Sequence, residues 1–188
     1  MHRRQPLPRT WMMTDERQGE GLWRALERLP RGAGVVFRHY SLPPAERRAL
    51  YMQVRRVARR RGLTLVLAGS SRLARQWCAD GRHGGTRGSS SDGIRTMPAH
   101  GLREIRTAER TGADLVFLSP VFATRSHPNG QPLGLRRFAR LAGATRLPVV
   151  ALGGMDAGRG RQVAKIGAYG WAAIDAWSVR QKRKAVPI

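Results

Sequence analysis

The chain has 188 residues, enough for one domain with a full core but slightly short for a common eight-fold α/β barrel. Its net charge of +23 comes almost entirely from arginines spread along the chain rather than gathered in one patch, so we do not expect a nucleic acid partner. One cysteine excludes an intrachain disulfide, and the lack of a signal-peptide pattern or of ~20 successive apolar residues predicts a cytoplasmic protein without a membrane partner.

Strand-like apolar runs alternate with amphipathic helix-like runs from Trp11 onward, which is typical of an α/β fold with a parallel sheet. In the first half of the chain, strands and helices are predicted in alternation over residues 10–14, 21–29, 34–38, 44–61, 63–68 and 71–77. The helix over residues 44–61 opens with proline and is closed by Gly62, the usual placing of these two residues. Residues 82–92 are rich in Gly, Ser and Arg, so we expect an irregular segment with a fourth strand of at most two or three residues.

The second half continues the alternation with four further strands. The predicted elements lie at residues 93–98, 102–111, 115–118, 135–141, 147–152, 158–166, 168–174 and, for a last short helix, 175–180. Eight strand–helix pairs predict a closed TIM (β/α)8 barrel, a single α/β domain over residues 1–188 with a flexible segment 1–9 and a basic tail 181–188. The alternative, a doubly wound open sheet, needs fewer strands and a nucleotide-binding fingerprint that we do not find in this sequence.

Polar groups follow several of the predicted strands directly. The sixth strand runs straight into a loop of hydroxyl, imidazole, Pro and Gly residues, which is typical of an active-site loop or of a surface loop rich in turn formers. Because the C-terminal ends of barrel strands meet at one face, this loop should lie near the Gly153-Gly154 turn, where a backbone can approach a phosphate. The groups expected to converge are Arg38, residues 68–70, His83, His100, residues 124–127, Gly153, Gly154 and Asp175.

Three stretches, residues 112–135, 149–155 and 166–176, carry a more specific pattern. Residues 120–127 read PVFATRSH and are followed by PLGL at 132–135, which is similar to a PVFxTxTK loop before PLGL. Together these stretches resemble the thiamine phosphate synthase family, which includes its relative the thiazole tautomerase. The resemblance covers nearly the whole chain. It implies a transferase of thiamine biosynthesis that joins an aminopyrimidine diphosphate to a thiazole phosphate with release of pyrophosphate, so phosphorylated small molecules are the expected substrates.

The resemblance also implies roles for individual residues. Arg38 stands at the family's pyrophosphate-clamping arginine and His127 at its loop lysine, so both are expected to be catalytic. His127 replaces the charge of that lysine only when protonated, and the alternative is a solvated loop histidine. His83 and His100 are expected to support neighbouring groups rather than act as a base. The full set expected to bind substrate or its phosphates is Arg38, Thr124, Arg125, Ser126, His127, Gly153, Gly154, Ile174 and Asp175.

Several positions depart from the family pattern. The two acidic positions that hold magnesium in the family fall on Gly69 and Gly88, and a glycine side chain offers Mg²⁺ no ligand. We therefore expect no protein metal ligands, and Mg²⁺ only through substrate phosphate oxygens. Five further residues depart from the family pattern. Val36, Tyr40 and Pro98 stand at positions of a glutamine, a lysine and a serine in the family. Asp175 stands at the family's last phosphate-binding serine, and Pro120 at the catalytic histidine of the tautomerase. The alternative to an active transferase is a degenerate barrel that binds a phosphorylated small molecule, such as thiazole phosphate or thiamine phosphate, or a partner protein, without turnover. The sequence leaves the oligomeric state open.

Overall fold

Eight parallel strands close into a barrel in the computed structural model, which describes residues 6–85, 93–124 and 131–177. The strands follow one another around the barrel in chain order, and the last pairs with the first. This arrangement confirms the predicted TIM barrel in a single α/β domain. The strands are β1 Thr10–Met13, β2 Gly34–Phe37, β3 Thr64–Ala68, β4 Gly81–His83, β5 Ile94–Ala99, β6 Leu115–Leu118, β7 Val149–Leu152 and β8 Gly170–Ala173.

Helices connect most of these strands on the outside of the barrel. Within the described ranges they are α1 Gly21–Arg28, α2 Pro44–Arg61, α3 Ser71–Gln76, α4 Leu102–Arg110, α5 Gly134–Gly143 and α6 Ala157–Ala164, with a short 3₁₀ turn at Glu16–Gln18. The helix α2 has the predicted bounds and ends at Gly62, whose left-handed backbone (φ 64°) lets its N–H reach the last carbonyls of the helix. None of these helices is long and apolar enough to cross a membrane.

Two predicted segments lie partly outside the described residues. For residues 82–92 we expected a short fourth strand, and the structure has the three-residue strand β4 at the start of this segment. Residues 86–92 lie outside the described residues. The last short helix, expected over 175–180, is not present at residues 175–177, which form a turn, and 178–180 are outside. In the segment 1–9, Leu7 and Arg9 contact the end of the barrel near β8, since their carbonyl oxygens accept hydrogen bonds from the Tyr169 hydroxyl and the Trp171 N–H.

The hydrophobic core has one layer inside the barrel and two patches between the sheet and the helices. Inside, the Trp11 and Phe117 rings meet edge to face at 5.3 Å, and a Cβ on Gly34 would lie 2.1 Å from the Trp11 ring. Burying such large apolar side chains stabilises the barrel by about 1.5–3 kcal/mol each. Because this packing fills the barrel centre, the open space for a ligand is at its rim.

Candidate active site

A cavity of about 500 Å³ opens where β7 and β8 end, at the C-terminal face of the barrel. We call it the β7–β8 cavity. The sequence-predicted site residues that line it are Thr124, Gly153, Gly154, Ile174 and Asp175. The structure therefore brings together residues that are up to about 50 positions apart in the chain, because their strands end at the same face.

Glycine is required at both positions of the turn after β7. Gly153 and Gly154 have φ values of 98° and 61°, a left-handed backbone that disfavours side chains. A Cβ on Gly153 would lie 2.7 Å from the Pro120 Cα, and one on Gly154 would lie 2.5 Å from the Ala123 carbonyl oxygen. The loop after β6 is thus packed directly onto the glycine pair, which also forms one wall of the cavity.

The start of α6 contributes Arg159, a residue that the sequence analysis did not identify as part of the site. The carboxylate of Asp156 caps the helix by accepting a hydrogen bond from the Arg159 N–H at 2.9 Å. The guanidinium of Arg159 donates to the Gly154 carbonyl and lies 4.5 Å from the Phe122 ring centroid, on the cavity wall. In the sequence, the signal for Arg159 is a capping Asp three residues before it, just after the Gly-Gly turn. This cation and the N-terminal end of the helix favour an anionic ligand.

Asp175, also in the cavity wall, would repel a phosphate if it stood alone. Its charge helps to raise the pKa of Arg17, although the main cause of that rise is the hydrogen bond from Arg17 to Asp15. The Gln18 side chain donates to the Ile174 carbonyl at 2.8 Å and so ties the loop after β1 to the end of β8. Asp175 therefore lies close enough to Arg17 for their charges to attract each other.

Arg38 lies at the end of β2 and is held in place by the loop after β1. Its Nη2 forms an ion pair with Asp15 Oδ2 at 2.8 Å, and its Nε donates to the Thr14 carbonyl at 2.9 Å. The Asp15 carboxylate has a pKa below its ordinary value, chiefly because Arg17 donates a hydrogen bond to it. Arg38 is still partly exposed at the barrel mouth, with 27% of its side chain accessible.

The two candidate histidines occupy different environments. The ring of His83 packs edge-on against Phe117 and its Nδ1 hydrogen-bonds the Thr96 hydroxyl at 2.9 Å. Burial, and to a smaller extent the nearby charge of Arg38, lower the pKa of His83 to about 4. The imidazole is therefore neutral at physiological pH. His100 is exposed and its Nδ1–H donates to the Ser119 carbonyl at 2.9 Å, just before the loop after β6.

A second cavity, of about 640 Å³, lies where β3 and β4 end. We call it the β3–β4 cavity. It is lined by Tyr40, Gly69, Ser70, Ser71, Arg72, Arg82, His83, Gly84 and Gly85. No carboxylate stands in this wall, and the described ranges contain no group of three His, Cys, Asp or Glu side chains that could hold a metal ion. Mg²⁺ requires hard oxygen ligands, so the residues that the structure shows here do not fit it.

The remaining predicted site residues, Arg125, Ser126 and His127, lie outside the described residues, as does Gly88. Thr124, the last described residue before them, is in the wall of the β7–β8 cavity. Their roles therefore stay predictions.

A closed parallel barrel with cavities at the C-terminal ends of its strands is the architecture of TIM-barrel enzymes. Within that class, the sequence model of the family described as thiamine monophosphate synthase matches residues 12–177. The chain belongs to this family, whose members are transferases of thiamine biosynthesis and typically use Mg²⁺. This confirms the resemblance found in the sequence.

Individual relatives agree with the family assignment. The chain is 32% identical over 179 residues to the putative thiamine-phosphate synthase 2 of Aquifex aeolicus, an alignment that covers 89% of this chain and 96% of that protein. It is 33% identical over 156 residues to the thiamine-phosphate synthase of Geobacillus thermodenitrificans, which covers 77% of this chain and 70% of the relative. Thiamine phosphate pyrophosphorylase from Pyrococcus furiosus has the same fold, with a TM-score of 0.75, 24% identity and coverage of 93% of this chain and 89% of that one.

Proposed function

We propose that this chain is a cytoplasmic thiamine-phosphate synthase-type transferase that joins an aminopyrimidine diphosphate to a thiazole phosphate and releases pyrophosphate. The observation that carries the proposal is the β7–β8 cavity. There the Gly153-Gly154 turn, the start of α6 and Arg159 surround a space of about 500 Å³. Backbone N–H groups and a guanidinium at a glycine turn are suited to a phosphate monoester.

The thiazole phosphate occupies the β7–β8 cavity in this proposal. Gly153 and Gly154 let the backbone approach the phosphate, Thr124 offers a hydroxyl, and Ile174 and Asp175 form the opposite wall. The adjoining loop residues Arg125, Ser126 and His127 extend the phosphate site. The phosphate thereby fixes the position of the thiazole ring at the barrel mouth, which accelerates the reaction by orientation.

The diphosphate of the other substrate lies across the mouth, toward Arg38 and the β3–β4 cavity. The bond between the pyrimidine methylene carbon and the diphosphate oxygen breaks, and its electron pair leaves with the pyrophosphate. The lone pair of the thiazole nitrogen then forms the new C–N bond to the carbocation. The chemistry depends on positioning and charge, so the neutral His83 needs no role as a base. Any Mg²⁺ would be held by substrate phosphate oxygens, because the described wall of the β3–β4 cavity contains no carboxylate.

A coupled assay tests this function directly. The purified chain is incubated with both substrates and MgCl₂, and thiamine phosphate is measured against an Arg38→Ala control. Product above that control is expected, because Arg38 is the partly exposed cation at the barrel mouth. Thiazole phosphate alone should also raise the melting temperature, and no shift would contradict the proposed phosphate site.

A second function, binding without turnover, is favoured by the missing carboxylates around Gly69. In that case the chain binds thiazole phosphate or thiamine phosphate, or a partner protein, and forms no product. Thermal stabilisation by thiazole phosphate together with a product level equal to that of Arg38→Ala would establish the binding function. Measurable turnover would exclude it.

A further inference from the structure

The β3–β4 cavity carries arginine side chains at the place where the family resemblance implies metal ligands. Arg82 projects from β4 and is only 3% exposed, and Arg72 lies on the first turn of α3. Both side chains are in the wall of the cavity together with Gly69, the position of an expected metal-binding acid. The cavity is therefore cationic where a magnesium site would have to be anionic.

The guanidinium of Arg82 is fixed beside position 69. Its Nη1 donates to the Gly84 carbonyl, which sets the orientation of the group. A Cβ on Gly85 would lie 2.9 Å from that Nη1 and 3.9 Å from the Gly69 carbonyl oxygen, so the Arg82 head and Gly69 border the same small space. A charged group held there repels a divalent cation and attracts an anion.

A third guanidinium, that of Arg47 on α2, adds to the positive potential behind the cavity wall. Arg47 donates to the carbonyl of Ala68, the residue directly before Gly69, at 2.7 Å. It also donates to the Arg38 carbonyl at 2.8 Å. The two carboxylates on the loop after β1 already have partners: Asp15 pairs with Arg38 at 2.8 Å, and Glu16 accepts a hydrogen bond from the Ser41 hydroxyl at 2.9 Å. Neither lies in the cavity wall, so the described part of the cavity carries an excess of positive charge.

We propose that this chain binds the diphosphate group of its substrate without a metal ion, through the guanidinium groups of Arg82 and Arg72 in the β3–β4 cavity. Guanidinium groups pair with phosphate oxygens through two parallel hydrogen bonds and neutralise the charge that Mg²⁺ would otherwise neutralise. They also stabilise the departing pyrophosphate in the transferase reaction. The part of this inference that concerns the reaction rests on the proposed function, whereas metal-free diphosphate binding does not.

Binding of inorganic pyrophosphate tests the proposal. The melting temperature and the dissociation constant are measured with pyrophosphate in EDTA and again in MgCl₂. Stabilisation in EDTA is expected, with an affinity that Mg²⁺ does not improve, because the anion is neutralised by the protein. Binding that requires Mg²⁺ would overturn the proposal.

Charge-matched variants locate the site. Arg82→Met and Arg72→Met should each weaken pyrophosphate binding in EDTA at least about tenfold, whereas Arg48→Met, an exposed arginine on α2 outside the cavity, should bind like the unaltered chain. Arg72→Met keeps the test valid if Arg82→Met fails to fold. Unchanged affinity in a folded Arg72→Met and a folded Arg82→Met would overturn the proposal.

The product assay in EDTA separates this inference from the proposed function. Pyrophosphate binding in EDTA without any thiamine phosphate, even with Mg²⁺, would support the metal-free site and contradict the transferase. Thiamine phosphate formed only with Mg²⁺ would support the transferase and overturn the metal-free site.

Discussion

At position 154 there is no room for a side chain. A Cβ would meet the Ala123 carbonyl oxygen at 2.5 Å and the Phe122 Cβ at 2.9 Å, and the backbone φ of 61° is itself unfavourable for alanine. Gly154→Ala should therefore push the loop after β6 away from the β7–β8 cavity. We expect a loss of stability of about 1–3 kcal/mol and a rise of about tenfold or more in KM for thiazole phosphate, measured by urea denaturation and steady-state kinetics.

The matched control for this change is Gly143→Ala at the end of α5. A Cβ there meets nothing within 4 Å, and the position is helical. Stability should stay equal or rise by up to about 1 kcal/mol, with KM unchanged. Equal KM values for Gly154→Ala and Gly143→Ala would contradict the role assigned to the glycine turn.

His83 should make the folded protein sensitive to mild acid. Its pKa is about 4 in the folded state, because of burial and then of Arg38, and about 6.5 in an unfolded chain. Its contribution to stability is complete above pH 6.5, falls as pH decreases from 6.5 to 4 and is constant below that, for a total of about 3 kcal/mol. His83→Asn keeps a polar group near Thr96 but does not titrate, so its free energy of unfolding should fall less steeply over this range.

Urea denaturation at several pH values between 7.5 and 4 measures this difference. Asp15 and Glu16 also have lowered pKa values and lose their contributions in acid, but both proteins share those losses. The difference between the two proteins therefore reports His83 alone. Parallel curves for the two proteins would show that folding does not lower the pKa of His83.

At the start of α6, Asp156 has opposite effects on the stability of the helix and on anion binding. Asp156 accepts the Arg159 N–H and caps the helix, yet its negative charge lies in the wall of a cavity proposed to hold phosphate. Asp156→Ala should lower stability by about 1 kcal/mol, equivalent to a fall of roughly 2–4 °C in melting temperature. Because the variant frees an N–H and removes an anion, phosphate affinity should rise, as isothermal titration would measure.

Ser70→Ala provides the matched comparison. Ser70 caps α3 by accepting a hydrogen bond from the Leu73 N–H, and it lies outside the β7–β8 cavity. A similar loss of stability with unchanged affinity for thiazole phosphate is expected. A gain in affinity for Ser70→Ala, or a loss for Asp156→Ala, would contradict the assignment of phosphate to the β7–β8 cavity.

The predictability of these elements from sequence depended on clear boundary signals. The strand over 115–118 has the predicted bounds because polar turns flank its apolar run. The helix over 44–61 has them because proline marks its start and Gly62 its end. The strands predicted over 147–152 and 168–174 are shorter in the structure, since pairing with neighbouring strands, rather than apolar character, sets where β7 and β8 begin.

The site was predictable to the extent that it depends on topology. Thr124 and Asp175 share a cavity because the strands before them end at one face. The capping Asp156 after the Gly-Gly turn indicated the position of Arg159, but nothing comparable marks Arg82. The chain is rich in arginine, and its sequence does not show which guanidinium turns toward a cavity. That direction is set by local contacts, such as the hydrogen bonds from these two side chains to the Gly154 and Gly84 carbonyls.

At the scale of the whole molecule, the net charge of +23 should oppose folding at low ionic strength. Raising NaCl from about 20 to about 200 mM shortens the screening length to below about 10 Å, and we expect the melting temperature to rise by several degrees. Sodium phosphate at equal ionic strength should add a further rise that Gly154→Ala lacks, because the proposed phosphate site lies in the β7–β8 cavity and chloride does not occupy it. A melting temperature that falls with NaCl would contradict the repulsion.

The pairing of β1 with β8 places Thr10 opposite Trp171, and the Tyr169 hydroxyl bonds the Leu7 carbonyl across 162 positions of the chain. A ribosome that adds about 5–20 residues per second therefore completes β1 roughly ten to thirty seconds before β8 exists. During that interval the outer edge of β1 has no partner strand and is open to pairing with other chains. Closure of the barrel, and with it the β7–β8 cavity, is therefore completed only after β8 has been synthesised.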